Sequence, residues 1–315
     1  MELTLEAYYN IVNNVGSRAE IAALCRVSKG FRFAAEYALY NALDMRNTQA
    51  TISLCDTLSS QPRLAALVDS LTISGSEEAD EDEDEDGSPV SAEEYWSSVS
   101  RALQSTKRLR HLMISVIDIS DTSTPWILHG CTFRLRSFHC DLEWDHNLIS
   151  FLNSQVDLND LYIIDYNDFN TDTPTNVSTS TSACLDIHSL PNLSTLECTF
   201  SEAAIALVPS RPVTHLKTCF SRSEISEKRT EMSLLFSKIR LSTHPLRSLD
   251  VADSSYTEAF CMEFLESIVK TSATTSDLRY LGTLVLPMGG REVRVVPLLR
   301  LVFSSMTTVF HFSWL

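Results

Sequence analysis

A short phrase, Leu-x-x-Leu-x-Leu or a close variant, recurs through most of this chain, and internal repetition constrains architecture before any single element does. The clearest copies are Leu109-Leu112-Ile114, Leu135-Phe138-Cys140, Leu158-Leu161-Ile163, Leu193-Leu196-Cys198, Val213-Leu216-Thr218, Leu246-Leu249-Val251 and Leu281-Leu284-Leu286. Val68-Leu71-Ile73 is an earlier copy and Met306-Val309-His311 a late, weak one. Side chains alternate along a strand, so the second and third apolar residues of each phrase share one buried face, while the first closes the corner before it. Strands stacked this way pair in parallel, and each needs a dozen or more residues to return to the starting edge.

The segments between copies suit that return. Residues 92–105, with Tyr95, Trp96, Val99, Ala102 and Leu103, predict an amphipathic helix, and residues 257–270 predict another through Phe260, Met262, Phe264, Leu265, Ile268 and Val269. Residues 148–152 and 225–239 carry the pattern more weakly. The fold class is therefore α/β, built from strand-and-return units around a parallel sheet. Residues between the buried ones point to the open face of that sheet. Met113, Ser115, Thr199, Cys219 and Ala252 fall there, and so do the candidates for gripping a protein ligand: His139, Asp141, Tyr162, Ile164, Glu197, Lys217 and Asp250. The alternative for the same residues is an ordinary solvated face.

Two stretches interrupt the repeats. Nine acidic residues crowd positions 77–86. Such a block repels itself and cannot collapse, so 75–91 reads as a disordered insertion, with contact to a basic partner or a weak site for divalent cations as its functional alternatives. Residues 167–183, rich in Thr, Ser and Asp with Pro174, read as a second loop. The final strand-like residues run to Leu315 without a polar capping unit, so this end is truncated, covered by another element or paired with a partner.

Ahead of the repeats, residues 1–46 predict three short helices. Leu5, Tyr8, Tyr9, Val12 and Val15 mark one face of the first, with Thr4 as its N-cap. Ser17-Arg18-Ala19-Glu20 reads as a capping box opening the second, which turns Ile21, Leu24 and Cys25 inward. Phe31, Ala34, Ala35, Ala38, Leu39 and Ala42 share a face of the third. These faces exceed what three short helices can bury among themselves, and an element like that is usually half of an interface.

The order Leu3-Thr4-Leu5-Glu6, then Leu24-Cys25-Arg26-Val27-Ser28-Lys29-Gly30-Phe31, resembles the F-box, the adaptor-binding module of cullin–RING ubiquitin ligases. In that family the pattern is Leu-Pro-x-Glu followed by Leu-x-x-Val-Ser-Lys/Arg-x-Phe/Trp, so Thr4 stands where proline is usual. The phrase spacing of 20 to 35 residues resembles irregular leucine-rich repeats. The Asn or Cys that usually follows the strand is replaced by Ser201, Ser221 and Ser254, or by Ile117, Glu143 and Tyr166. Together the resemblance implies an F-box-like module at 1–46 and a leucine-rich-repeat domain at 47–315, the arrangement of fungal-type substrate receptors. It implies binding of a Skp-type adaptor, and through it a cullin, by Leu3, Leu5, Tyr8, Val12, Leu24, Val27 and Phe31. A protein substrate would lie on the repeat region. The competing expectation is a non-catalytic scaffold whose opening helices only cap the repeats.

Composition narrows the function further. A net charge of −16 opposes a nucleic-acid backbone as partner, since phosphates need clustered Lys and Arg. No apolar run is long enough to span a bilayer and no secretory leader opens the chain, so the expected location is intracellular, cytoplasmic or nuclear. Eight cysteines are scattered without a Cys-x-x-Cys pair, as reduced apolar cysteines are. No nucleophile elbow, zinc helix, phosphate loop or dinucleotide fingerprint is present, and Gly289-Gly290 reads as a turn. The expectation is a non-enzymatic receptor with no catalytic residue, no cofactor and no metal.

Overall fold

The computed structural model describes residues 3–74, 91–115, 124–164, 185–253, 257–271 and 277–282. Two compact units are present, Met1–Leu142 and Glu143–Leu315. The first opens on α1 (Leu5–Asn13), α2 (Arg18–Leu24) and α3 (Lys29–Tyr40). It continues through β1 (Ala42–Met45), α4 (Thr48–Ser60), α5 (Pro62–Ala65), β2 (Ser70–Ser74), α6 (Ala92–Ser105), β3 (His111–Ser115), a 3-10 turn at Pro125–Leu128 and β4 (Ser137–Cys140). Here β1 to β4 pair in parallel and in chain order. The second unit holds α7 (His146–Asn153), β5 (Asp160–Ile163), β6 (Thr195–Cys198), α8 (Ser201–Leu207), β7 (His215–Cys219), α9 (Ile225–Ile239), β8 (Ser248–Ala252), α10 (Glu258–Lys270) and β9 (Tyr280–Leu281). Its strands, β5 to β9, also pair in parallel and in order. The α/β class expected from the repeated phrase is what the chain adopts.

Alternation decides which side chains form each core. Leu112 and Ile114, Phe138 and Cys140, Leu161 and Ile163, Leu196 and Cys198, Leu216 and Thr218, and Leu249 and Val251 are all buried. The corner residues Leu109, Leu135, Leu158, Leu193, Val213 and Leu246 are fully buried as well. A backbone signature repeats at those corners. In the first unit the Asn41 carbonyl accepts from the N–H groups of both Asp69 and Ser70, Asp69 from Arg110 and His111, and Arg110 from Arg136 and Ser137. In the second, Asn159 accepts from Ser194 and Thr195, Ser194 from Thr214 and His215, Thr214 from Arg247 and Ser248, and Arg247 from Arg279 and Tyr280. Main-chain groups that any residue supplies thus lock neighbouring strands, which lets the returns vary in length without losing register.

Several expectations are corrected. The third helix ends at Tyr40, and Ala42, expected on its inner face, is exposed in β1. Tyr40, Leu43 and Met45 carry the spacing of the repeated phrase, and Leu43 and Met45 are buried where β1 pairs with β2. At the far end Leu281 pairs beside Leu249 and is therefore the second residue of its phrase, with buried Leu278 as the first. Leucines at 278, 281 and 284 fit the phrase in two registers, and the pairing with β8 selects the earlier one. Helix α4 had no visible apolar pattern because hydroxyls interrupt it. Thr51, Ser53, Thr57 and Ser59 each donate to the carbonyl four residues back and so sit in a helix without leaving backbone unpaired.

The turns after β6 and β7 are served by a single carboxylate. Ser201 Oγ donates to Glu231 Oε1 at 2.5 Å, and Ser221 offers its N–H at 2.8 Å and its hydroxyl at 3.2 Å to the same oxygen. Arg222 N–H reaches Glu231 Oε2 at 3.2 Å. One buried carboxylate on α9 thus satisfies two consecutive turns, the task an asparagine ladder performs elsewhere. The acidic stretch up to residue 90, the loop at 167–183, Ile117, Tyr166, Ser254, Leu284, Leu286, Gly289-Gly290 and the final strand-like residues lie outside the described residues. Ser91 is described: it caps α6 by accepting from Glu94 N–H at 3.2 Å. Among the described residues no helix is long and apolar enough to cross a membrane. Cys140 and Cys198 are free thiols whose burial pushes them up to about 12, out of reach of ordinary thiolate chemistry.

Candidate functional site

The opening helices form a small bundle whose geometry follows from two hydroxyl caps. Thr4 Oγ1 accepts from Ala7 N–H at 3.4 Å and so caps α1 with its hydroxyl. Ser28 Oγ accepts from Phe31 N–H at 3.2 Å and opens α3. Ser17 takes the extended backbone of an N-cap, yet its side chain makes no capping bond, so the expected capping box does not form. Val12, Ala34 and Ala35 are wholly buried at the centre, with Tyr8, Tyr9, Ile21, Leu24, Cys25, Phe31 and Ala38 packed around them. Tyr8 and Phe31 meet edge to face at 4.8 Å between centroids.

Gly30 makes that contact achievable. A Cβ there would fall within the Tyr8 ring, so α1 and α3 approach closely because this helical position carries no side chain. Gly30→Ala is expected to push the Tyr8 ring aside and destabilise the bundle by about 1–3 kcal/mol, read as a loss in thermal stability of the helical signal. A variant as stable as the parent would show that the ring has room to move.

The expected adaptor-facing residues separate into two sets. Leu3, Leu5 and Val27 are exposed, at 49%, 51% and 64%. Tyr8, Leu24 and Phe31 are half-buried and Val12 is fully buried, so these four shape the bundle beneath the surface. Three exposed apolar residues were missed: Ile11, Phe33 and Tyr37. Phe33 and Tyr37 lie four apart on α3, on the face beside that of Ala34 and Ala38, and Tyr9 packs edge-on to both. Two aromatics at that spacing were the available signal. The bundle is tied to the rest of its unit by α3, which leads directly into β1, and by the Arg63 guanidinium clasping the Glu36 carboxylate.

The expected substrate residues also find places. In the second unit Tyr162, Glu197, Lys217 and Asp250 occupy one register row across β5 to β8. Lys217 Nζ bonds Glu197 Oε1 at 2.5 Å, and that bond raises the lysine's affinity for its proton. Burial raises the Asp250 carboxyl, with Lys217 opposing the shift. Gly282 is again a close-approach glycine, since a Cβ there would overlap the Asp250 carboxylate. Ile164 continues the outer face after β5 and is 39% exposed. His139 on β4 and Asp141 just after it belong to the first unit and are half-buried.

A groove of about 620 Å³ in the second unit contains none of these residues. It runs along the corners before β6, β7 and β8, past Ile187, His188, Ser194, Thr214, His244 and Arg247. Among the described residues no cluster of three or more His, Cys, Asp or Glu side chains has the geometry to hold a metal ion. The chain matches no protein-family model and no curated protein.

Proposed function

We propose that this chain is the substrate-recognition subunit of a Skp–cullin–F-box type ubiquitin ligase, docking on its adaptor through the opening helices and holding a protein substrate on the outer face of its strands. The observation that carries this reading is the exposure of Leu3, Leu5 and Val27 on a bundle that already has a closed centre. Large apolar groups left exposed on a surface are accounted for where another surface covers them. A specific interface of ordinary size buries roughly 1,200–2,000 Å² in total, and a few central apolar residues dominate its energy. The row Tyr162, Glu197, Lys217 and Asp250 offers a mixed aromatic and charged face for the substrate.

Co-expression with a Skp-type adaptor tests the first half. The parent chain is expected to co-purify with it, and Leu5→Asp with Val27→Asp is expected to weaken the complex at least about 100-fold, as loss of central anchors does. Both positions are exposed, so the double variant should keep the parent's thermal stability. Failure of the parent chain to bind would sink the proposal.

A second reading, a repeat scaffold capped by the helices, is favoured by one observation: α3 leads straight into β1, which pairs with β2. Deleting residues 1–41 leaves β1 in place and separates the two. A docking module can be removed with the remaining repeats still folded, whereas loss of a cap exposes their end and causes aggregation.

A further inference from the structure

The turn that carries Val27 is basic in a chain that is otherwise strongly acidic. Arg26 and Lys29 flank Val27, Arg32 follows one turn later on α3, and Arg18 opens α2, all of them exposed. Arg18 donates to the Leu39 carbonyl at 3.0 Å and Arg32 to the Cys25 carbonyl at 3.4 Å, neutral acceptors that leave the charge uncompensated. None of the four has a carboxylate within ion-pairing distance among the described residues.

Glu36 is held by Arg63, and Glu6 and Glu20 lie in the first turns of α1 and α2, where they offset the helix dipoles. The turn around Val27 therefore presents positive charge, with Arg26, Lys29 and Arg32 about it, against a whole-chain charge of −16. At physiological ionic strength the screening length is about 8 Å, so a docking partner responds to these local cations and not to distant acidic stretches.

We propose that the partner covering Leu3, Leu5 and Val27 is a protein with an acidic surface, and that Arg26, Lys29 and Arg32 pair with it across the rim of an apolar contact. This rests on the docking reading above and adds the chemistry of the partner. Apolar burial would hold the complex together, while the charges orient the encounter and chiefly set the association rate.

The test is the association rate of the full-length chain with a purified Skp-type adaptor between 100 and 500 mM NaCl. For the parent chain the rate is expected to fall about tenfold across that range. Arg26→Glu with Lys29→Glu should associate about tenfold more slowly at 100 mM and lose the salt dependence, with Arg26→Gln and Lys29→Gln in between. Position 29 is the first of α3, where a carboxylate is favoured, so the reversal does not oppose folding. Binding of the parent at a salt-independent rate, matched by the charge-reversed variant, would overturn this inference and leave the docking reading standing. No binding of the parent at any salt concentration would remove both.

Discussion

Lys228→Met is expected to lower the stability of the second unit by about 3–5 kcal/mol, the usual cost of stranding one partner of a buried ion pair. The side chains of Lys228 and Asp253 are both 2% exposed, with Nζ at 2.6 and 2.8 Å from the two carboxylate oxygens and 5.9 Å from the centre of the Phe260 ring. The pair joins α9 to the end of β8, and the ring contact brings in α10. Methionine fills nearly the same volume, so the loss comes from removing the ammonium beside the Asp253 carboxylate and not from a cavity. Adding Asp253→Leu should therefore restore most of the stability, because two apolar groups of similar shape replace an ion pair at little or no net cost. Urea unfolding of the single and double variants decides it. A single variant within about 1 kcal/mol of the parent would mean that water reaches the carboxylate.

Arg211→Leu should be nearly as damaging, for a different reason. The Arg211 guanidinium is 3% exposed and meets no carboxylate at bonding distance among the described residues. Instead it donates to the carbonyls of Ser189 at 3.0 Å, Leu207 at 3.0 Å, Pro209 at 3.3 Å and Asp186 at 2.8 Å, and to Ser189 Oγ at 3.0 Å. Burial lowers its proton affinity, partly offset by the nearby Asp186 charge. These bonds fasten the segment before β6 to the end of α8, and they flank two non-glycine residues in the left-handed region, Leu190 at φ 56° and Ser210 at φ 65°. Each such residue costs on the order of 1 kcal/mol and persists only where its surroundings hold it. Leucine supplies none of the donors, so several buried carbonyls lose partners at about 1–3 kcal/mol each, for a total near 3–5 kcal/mol. Thermal unfolding reads the loss, and hydrogen exchange should place the first opening at residues 186–194. A melting temperature unchanged from the parent would show that the carbonyls find other donors.

Legibility followed the strength of local periodicity. The helix at 92–105 was readable to the residue, because its apolar positions return every three or four residues, whereas 225–239 carries the pattern more weakly, with nothing apolar between Ile225 and Met232. The inward and outward assignments along the strands also held, since alternation leaves only two choices and leucine settles them. Where several leucines stood three apart, at 278, 281 and 284, the phrase fitted twice and only pairing with a neighbouring strand removed the ambiguity. For β1 the pattern was present but looked like the tail of a helix, because alanines before it favour helix and the strand is only four residues long. At the opening helical bundle, sequence placed Val12 and Val27 in one group. Their surroundings then put one at the centre and the other in solvent.

Local chemistry written in the chain was enough to decide the class of fold, the identity of most buried residues, and the hydroxyl cap at Thr4, since each depends on neighbours within a few positions. Long-range contacts decided the rest. That Glu231 serves two turns, that Lys228 and Arg211 are interior cations, that Gly30 and Gly282 are close-approach sites, and that four cations at the bundle meet no carboxylate among the described residues all depend on residues up to about 30 positions apart. Charge and hydroxyl groups in a sequence look alike whether solvated or buried. Only folding fixes which partner, if any, each one meets.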